Sequence, residues 1–207
     1  MRPLPRVHAF TDESLLAHPE LGVRAAAIAA AGSAVALHAR ARNDSAIFLA
    51  AAARRLLALA RPPEAAVFVS GRSDIAAALG AHGVQLAPYD LAPSDARRVL
   101  VQGWIGCSVH STDEAAIAVQ EGADFLVVGN VYQTDSHPGR PAAGLDLVRR
   151  AVNLGLPVIA IGGITPARAA EVKAAGAYGV AAIRALWHAS DPAAATLAML
   201  EPWTSVT

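Results

Sequence analysis

Val158-Ile159-Ala160-Ile161-Gly162-Gly163-Ile164-Thr165-Pro166 is the stretch that decides how the chain is read. Four apolar residues of β character run into a Gly-Gly turn. Thr165 is placed to cap a helix that Pro166 begins, where a missing N–H costs nothing. The spacing predicts a helix over Ala167–Ala175, closed by Gly176 in a left-handed C-cap. A strand, a glycine turn and a helix N-terminus together offer several backbone N–H groups to an anion. The next apolar run, Gly179 to Ile183, delivers Arg184 to the same end. The reading is a small phosphorylated ligand held here, with chemistry supplied by earlier strand ends. A plain strand-to-helix turn is the alternative, and only the position of the motif in the chain argues against it.

Seven more runs read as strands: Val7–Thr11, Ala34–Arg40, Ala66–Ser70, Val84–Ala87, Trp104–His110, Phe125–Tyr132 and, after the first stretch at Val158–Gly162, Val180–Arg184. Alanine- and leucine-rich segments with helical spacing lie between them, such as Ile47 to Leu59 and Ala115 to Glu121. Ser111-Thr112-Asp113-Glu114 has the capping-box pattern, and Ser94 and Thr165 are further candidate caps. Gly80-Ala81-His82-Gly83-Val84, Gly122-Ala123-Asp124-Phe125 and Gly176-Ala177-Tyr178-Gly179-Val180 repeat one helix-to-strand turn. Eight such units predict a (β/α)8 TIM barrel, with residues 1–207 as one domain. A doubly wound sheet is the competitor, though six strands would serve it better.

The 207 residues suffice for one barrel core, and 54% hydrophobic with 16% charged residues argues against disorder. Seventeen basic and seventeen acidic residues cancel, which argues against a nucleic-acid surface. There is no run of strongly apolar residues long enough for a membrane span, and the start lacks the apolar stretch of a signal peptide. Cys107 is the only cysteine, so no intrachain disulfide or thiolate metal cluster forms. These features suit a cytoplasmic protein whose oligomeric state is left open, a homo-oligomer included. Cys107 is expected to be buried between Ile105 and Val109 and inert.

In a barrel, function collects at the C-terminal strand ends. Those ends carry Thr11 and Asp12, His38 and Arg40, Ser70 and Gly71, Gln85 and Asp90, Ser108 and His110, Asn130 and Tyr132, Gly162 and Gly163, and Arg184. Polar residues recurring where apolar strands finish predict a polar mouth over an apolar barrel.

Four segments carry a family resemblance: Leu37-His38-Ala39-Arg40-Ala41-Arg42, Ile105-Gly106-Cys107-Ser108-Val109-His110-Ser111, Gly122 through Thr134, and Ile159 through Pro166. From Val7 to about Pro192 the chain resembles the thiamine phosphate synthase/TenI family. The resemblance implies a TIM barrel and a thiazole phosphate ligand. One branch, the synthase, joins that phosphate to a pyrimidine diphosphate with Mg²⁺. The other, the TenI-type thiazole tautomerase, moves a proton to aromatise a carboxythiazole phosphate.

The resemblance implies a phosphate cradle at Gly162, Gly163 and Arg184, and substrate contacts from Arg40, Ser70, Ser108, Asn130 and Thr134. Arg184, where the synthase usually has serine, could contact the phosphate or fill part of the thiazole pocket. Arg40 could face a pyrophosphate or carboxylate, or form an ion pair with Asp12 or Asp90. Ser108 could line the ring site or bond its own backbone. His110 reads as a structural residue at the barrel end.

Two departures weigh against the synthase. Ser70-Gly71-Arg72 stands where it has Asn-Asp-Arg, leaving Asp90 as a thin Mg²⁺ site. Gln133-Thr134-Asp135-Ser136-His137 stands where it has a loop lysine. The tautomerase's usual histidine is in turn Asn130, which cannot shuttle a proton, so His137 and then His38 are the substitute bases. The expectation is therefore a TenI-like thiazole tautomerase, with no metal or cofactor. The synthase is the alternative, the one case that calls for Mg²⁺. A non-catalytic thiazole-phosphate binder is the second alternative.

Overall fold

In a computed structural model that describes residues 2–41, 45–60, 64–134 and 141–204, the strands close into a barrel. The strands are β1 (Val7–Phe10), β2 (Val35–Ala39), β3 (Ala66–Ser70), β4 (Gly83–Leu86), β5 (Trp104–Val109), β6 (Phe125–Val128), β7 (Val158–Ile161) and β8 (Gly179–Ala182). All are parallel and pair in chain order. Val7 lies opposite Val35 on one side and Val180 on the other, so the sheet has no edge. The doubly wound alternative is thereby excluded.

The principal outer helices are α3 (Ala46–Leu59), α4 (Ser73–Leu79), α5 (Pro93–Val99), α6 (Thr112–Gln120), α7 (Gly144–Val152) and α8 (Pro166–Ala174). The first connection holds α1 (Glu13–Leu16) and α2 (Leu21–Ala29), and the chain ends with α9 (Arg184–Trp187) and α10 (Pro192–Thr204). No helix among the described residues is long and apolar enough to cross a membrane.

Strand alternation divides the core in two. Val35, Leu37 and Ala39 of β2 face the helices, while Ala36 and His38 face the barrel axis. The axis is filled by pairing large with absent side chains. A Cβ on Gly83 would lie 2.4 Å from the Phe68 ring, and one on Gly106 would lie 2.2 Å from Phe125. Two histidines share this interior. His8 Nε2 donates to the Pro5 carbonyl at 3.1 Å, so its Nδ1 accepts from His38 Nε2 at 2.8 Å. His38 also stacks between Phe10 and Phe68, with ring centroids 3.9 and 4.8 Å away.

Several local expectations hold and several do not. Gly80, Gly122 and Gly176 each take positive φ after a helix, as the repeated turn predicts. Ser111 accepts the Glu114 N–H at 3.1 Å, but the returning Glu114 carboxylate takes the N–H of His110 rather than that of Ser111. Ser94 does not cap. It lies inside α5, whose N-cap is Ala92, and its hydroxyl donates to Glu121 at 2.8 Å. Thr165 has extended N-cap backbone but forms no side-chain cap. β6 ends at Val128, short of Tyr132, and β8 ends at Ala182, so Arg184 opens α9 instead of closing a strand.

Cys107 is buried among the outward residues of β5. Burial, with the nearby Asp124 and Asp90 charges, pushes its thiol up to about 12. Almost no thiolate then exists at neutral pH, so a thiol reagent should label the folded protein far more slowly than the unfolded one. Fast labelling without denaturant would show the β5 layer to be open.

Candidate active site

Among the described residues, the C-terminal mouth of the barrel carries two cavities. The larger, about 540 Å³, is built on the ends of β6, β7 and β8. It collects Asn130, Thr134, Gly162, Gly163 and Arg184, five of the positions expected to touch substrate, together with His110, Arg168 and His188. The smaller, about 240 Å³, lies over β2 to β5 and collects Arg40, Ser70 and Ser108 with Gly71, Arg72, Gln85 and Asp90. The expected residues thus fall into two groups on opposite halves of one mouth.

In the larger cavity the glycines are required by position. Gly162 and Gly163 have φ of +99° and +64°, where an L side chain is strained. A Cβ on Gly162 would lie 2.6 Å from Asn130, and one on Gly163 would lie 2.8 Å from Tyr132 and Gln133. The turn is therefore pressed against the β6 loop, which it joins through Val131 N to Ile161 O and Tyr132 N to Gly162 O. α8 follows at once with no side-chain cap; Pro166 has no N–H and that of Arg168 goes to the Thr165 carbonyl at 3.0 Å, so it is the positive end of the helix that faces an anion here. Arg184 borders the same cavity from α9. That short helix is held from outside by Arg24, which donates to the carbonyls of Trp187 at 2.8 Å and Ala189 at 3.1 Å. His110 is not merely structural in placement: it borders this cavity, with Nδ1 3.2 Å from Glu114.

In the smaller cavity Gln85 Nε2 donates to Ser108 Oγ at 3.0 Å. Gln85 Oε1 and Ser70 Oγ are buried and have no partner among the described residues. Unmet buried polar atoms are costly, and a ligand that supplies their partners removes the cost. Asp12 is engaged elsewhere, capping α1 through Leu15 N at 2.9 Å.

Two expected bases are not placed here. His38 borders neither cavity: it is fully buried in the barrel axis, and burial followed by the charge of His8 holds its pKa well below the ordinary value. The alternating pattern of β2 turns position 38 inward, which corrects its reading as a mouth residue. His137 lies outside the described residues.

No group of three metal-binding side chains assembles among the described residues. Asp90 borders the smaller cavity and accepts the Ala87 N–H at 2.7 Å. Its oxygens lie 3.1 and 3.2 Å from where a Cβ on Gly71 would stand, so the carboxylate uses room left by the missing side chain. Mg²⁺ commonly takes one or two carboxylates and completes its shell with substrate phosphates and water. The donors fit an ion that arrives with a diphosphate.

A closed parallel barrel with two cavities at its carboxyl-terminal mouth places the protein in the (β/α)8-barrel class, whose active sites sit at that face. More narrowly, the chain belongs to the thiamine monophosphate synthase family, which residues 7–186 match. It is 43% identical over 175 residues to the thiamine-phosphate synthase of Thermus thermophilus, covering 84% of each chain. To that of Salinispora tropica it is 40% identical over 210 residues, covering 99% of this chain and all of the relative. The solved thiamine phosphate pyrophosphorylase of Pyrococcus furiosus superposes with a TM-score of 0.81 at 33% identity, covering 95% of this chain and 94% of that one. The Thermus and Salinispora relatives bear the synthase name, and the expectation of a tautomerase is overturned by them. The glycine at position 71 does not exclude a synthase, because a single carboxylate can serve a metal that shares its shell with substrate phosphate.

Arg168 and Gln85 are the residues that sequence reading left without a role. Arg168 had a legible signal, a cation in the first turn of a helix, where the macrodipole favours an acid. The unmet Gln85 oxygen had none, because it depends on what surrounds β4.

Proposed function

We propose that the chain is a thiamine-phosphate synthase, joining the methylene carbon of a pyrimidinylmethyl diphosphate to the ring nitrogen of a thiazole phosphate. The observation that carries this reading is the division of one barrel mouth into two cavities of different chemistry. A tautomerase has one substrate, whereas a coupling enzyme must hold two side by side. The thiazole phosphate belongs in the larger cavity, its phosphate on Gly162, Gly163 and the start of α8, with Arg184 adding charge-assisted contact. Asn130 and Thr134 border the ring. The pyrimidine belongs in the smaller cavity, where Gln85, Ser70 and Ser108 can meet the edges of an amino-substituted heteroaromatic ring. Arg40 would face the diphosphate, and Asp90 would hold the Mg²⁺ that neutralises charge on this leaving group.

In the reaction the C–O bond to diphosphate breaks with its electron pair leaving on oxygen. The thiazole nitrogen donates its pair to the same carbon, and inorganic diphosphate departs. The residues act by orienting two ligands across the mouth and by stabilising the leaving charge. A lone buried cysteine suits work in the reducing cytoplasm.

The test is incubation of the purified chain with both substrates and Mg²⁺, measuring thiamine phosphate and diphosphate together. Equimolar formation of the two is expected. Tight binding of both substrates with no coupled product would sink the reading.

A further inference from the structure

Arg168 breaks a local rule. It is the third residue of α8, where the aligned peptide dipoles oppose a positive charge, and the first turn carries no acid. Among the described residues it forms no ion pair. Its guanidinium is nevertheless held in place. One N–H donates to the Gly163 carbonyl at 2.6 Å, and the group lies over the Tyr132 ring, 4.3 Å from its centroid. Tyr132 is fixed in turn by its hydroxyl, which donates to Glu171 at 2.7 Å. Burial, then the Glu171 carboxylate, pushes this phenol up to about 12, so it remains a donor.

The held guanidinium borders the larger cavity beside Gly163 and Thr165. A guanidinium has five N–H donors, and the bond to Gly163 uses one. A charge unpaired within the described protein, oriented by an aromatic face and aimed at an anion cradle is explained by a ligand that supplies the counter-charge. We propose that Arg168 is a second phosphate-binding cation of the larger cavity, oriented by Tyr132 and Glu171 as positioning residues. The inference rests on the placement of thiazole phosphate argued above. It makes the cradle a device that reads the phosphate with a side chain from each flank, Arg168 from α8 and Arg184 from α9. It also ties the β6 loop to phosphate binding, since Tyr132 belongs to that loop.

The test compares two ligands, thiazole phosphate and the dephosphorylated thiazole alcohol, by calorimetry on the whole chain. R168Q is expected to weaken the phosphate ester by about 10- to 100-fold, the range for a lost charge-assisted hydrogen bond. The alcohol should bind as it does to the wild type. R168K should recover part of the loss, having the charge without the planar fork, and Y132F should show a smaller loss confined to the phosphate ester. Equal affinity for the phosphate ester in wild type and R168Q would overturn the proposal. So would an equal loss for both ligands, which would mean that Arg168 only supports the turn. If the wild type discriminates between neither ligand, the thiazole phosphate placement itself fails and this inference with it.

Discussion

Asp90→Asn is expected to lower the coupling rate by about 100-fold or more, the scale of removing one electrostatic stabiliser of a developing charge. The substitution keeps the shape of the side chain, and its amide oxygen can still accept the Ala87 N–H that Asp90 takes at 2.7 Å. What is lost is the charge that would hold Mg²⁺ against the departing diphosphate. Half-maximal rate should therefore require more Mg²⁺, while binding of thiazole phosphate on the other half of the mouth stays unchanged. The far-ultraviolet circular dichroism should be that of the wild type. An undiminished rate at low Mg²⁺ would place the metal on other groups. Gly71→Asp is the companion variant: a Cβ there stands within 3.2 Å of both Asp90 oxygens, so the new carboxylate must displace Asp90 or repel it.

The second large effect is on stability in acid. His8 is buried in the barrel axis, and burial lowers its pKa from 6.5 to about 4, partly offset by its bond to Pro5. His38, beside it, is lowered in the same direction, by burial first and then by the charge of His8. The unfolded chain takes up these protons near pH 6.5, whereas the folded barrel refuses them until far lower pH. Between those limits the unfolded state binds more protons, so stability falls as pH falls and is unaffected above about pH 7. His8 alone should cost about 3 kcal/mol by pH 4, from roughly 1.4 kcal/mol per pKa unit. Urea midpoints at pH 7.5 and 4.5 measure the effect, and His38→Phe should reduce the loss by removing one of the two titrating rings. A midpoint that holds between those pH values would show that the folded barrel accommodates charged rings.

The barrel was readable because its units are local: an apolar run, a glycine that stops a helix, and the next run. Gly80, Gly122 and Gly176 adopt the backbone their repeated context predicts. The phosphate turn was readable for the same reason, since a Gly-Gly pair between a strand and a Pro-started helix allows few conformations. Caps were less so, because Ser94 and Thr165 have the right chemistry and the wrong surroundings. The choice between coupling and tautomerisation was less legible still, because Gly71 and the loop at His137, taken singly, point away from the synthase. A site is defined by the set of groups around a ligand, and one position cannot report the whole set.

The amino-acid sequence by itself determined the eight βα units, their parallel closure and the glycine turn at the seventh strand, all consequences of periodicity and backbone preference within a few residues. Only the tertiary structure decided that His38 points to the barrel axis and not to the mouth, because one step of strand register separates those directions. It alone divided the polar residues into two cavities, drew Asp90 into the space beside Gly71, and laid Arg168 over Tyr132. Each of these is a meeting of residues distant in the chain, fixed by how the strands and helices pack and therefore invisible to any local reading.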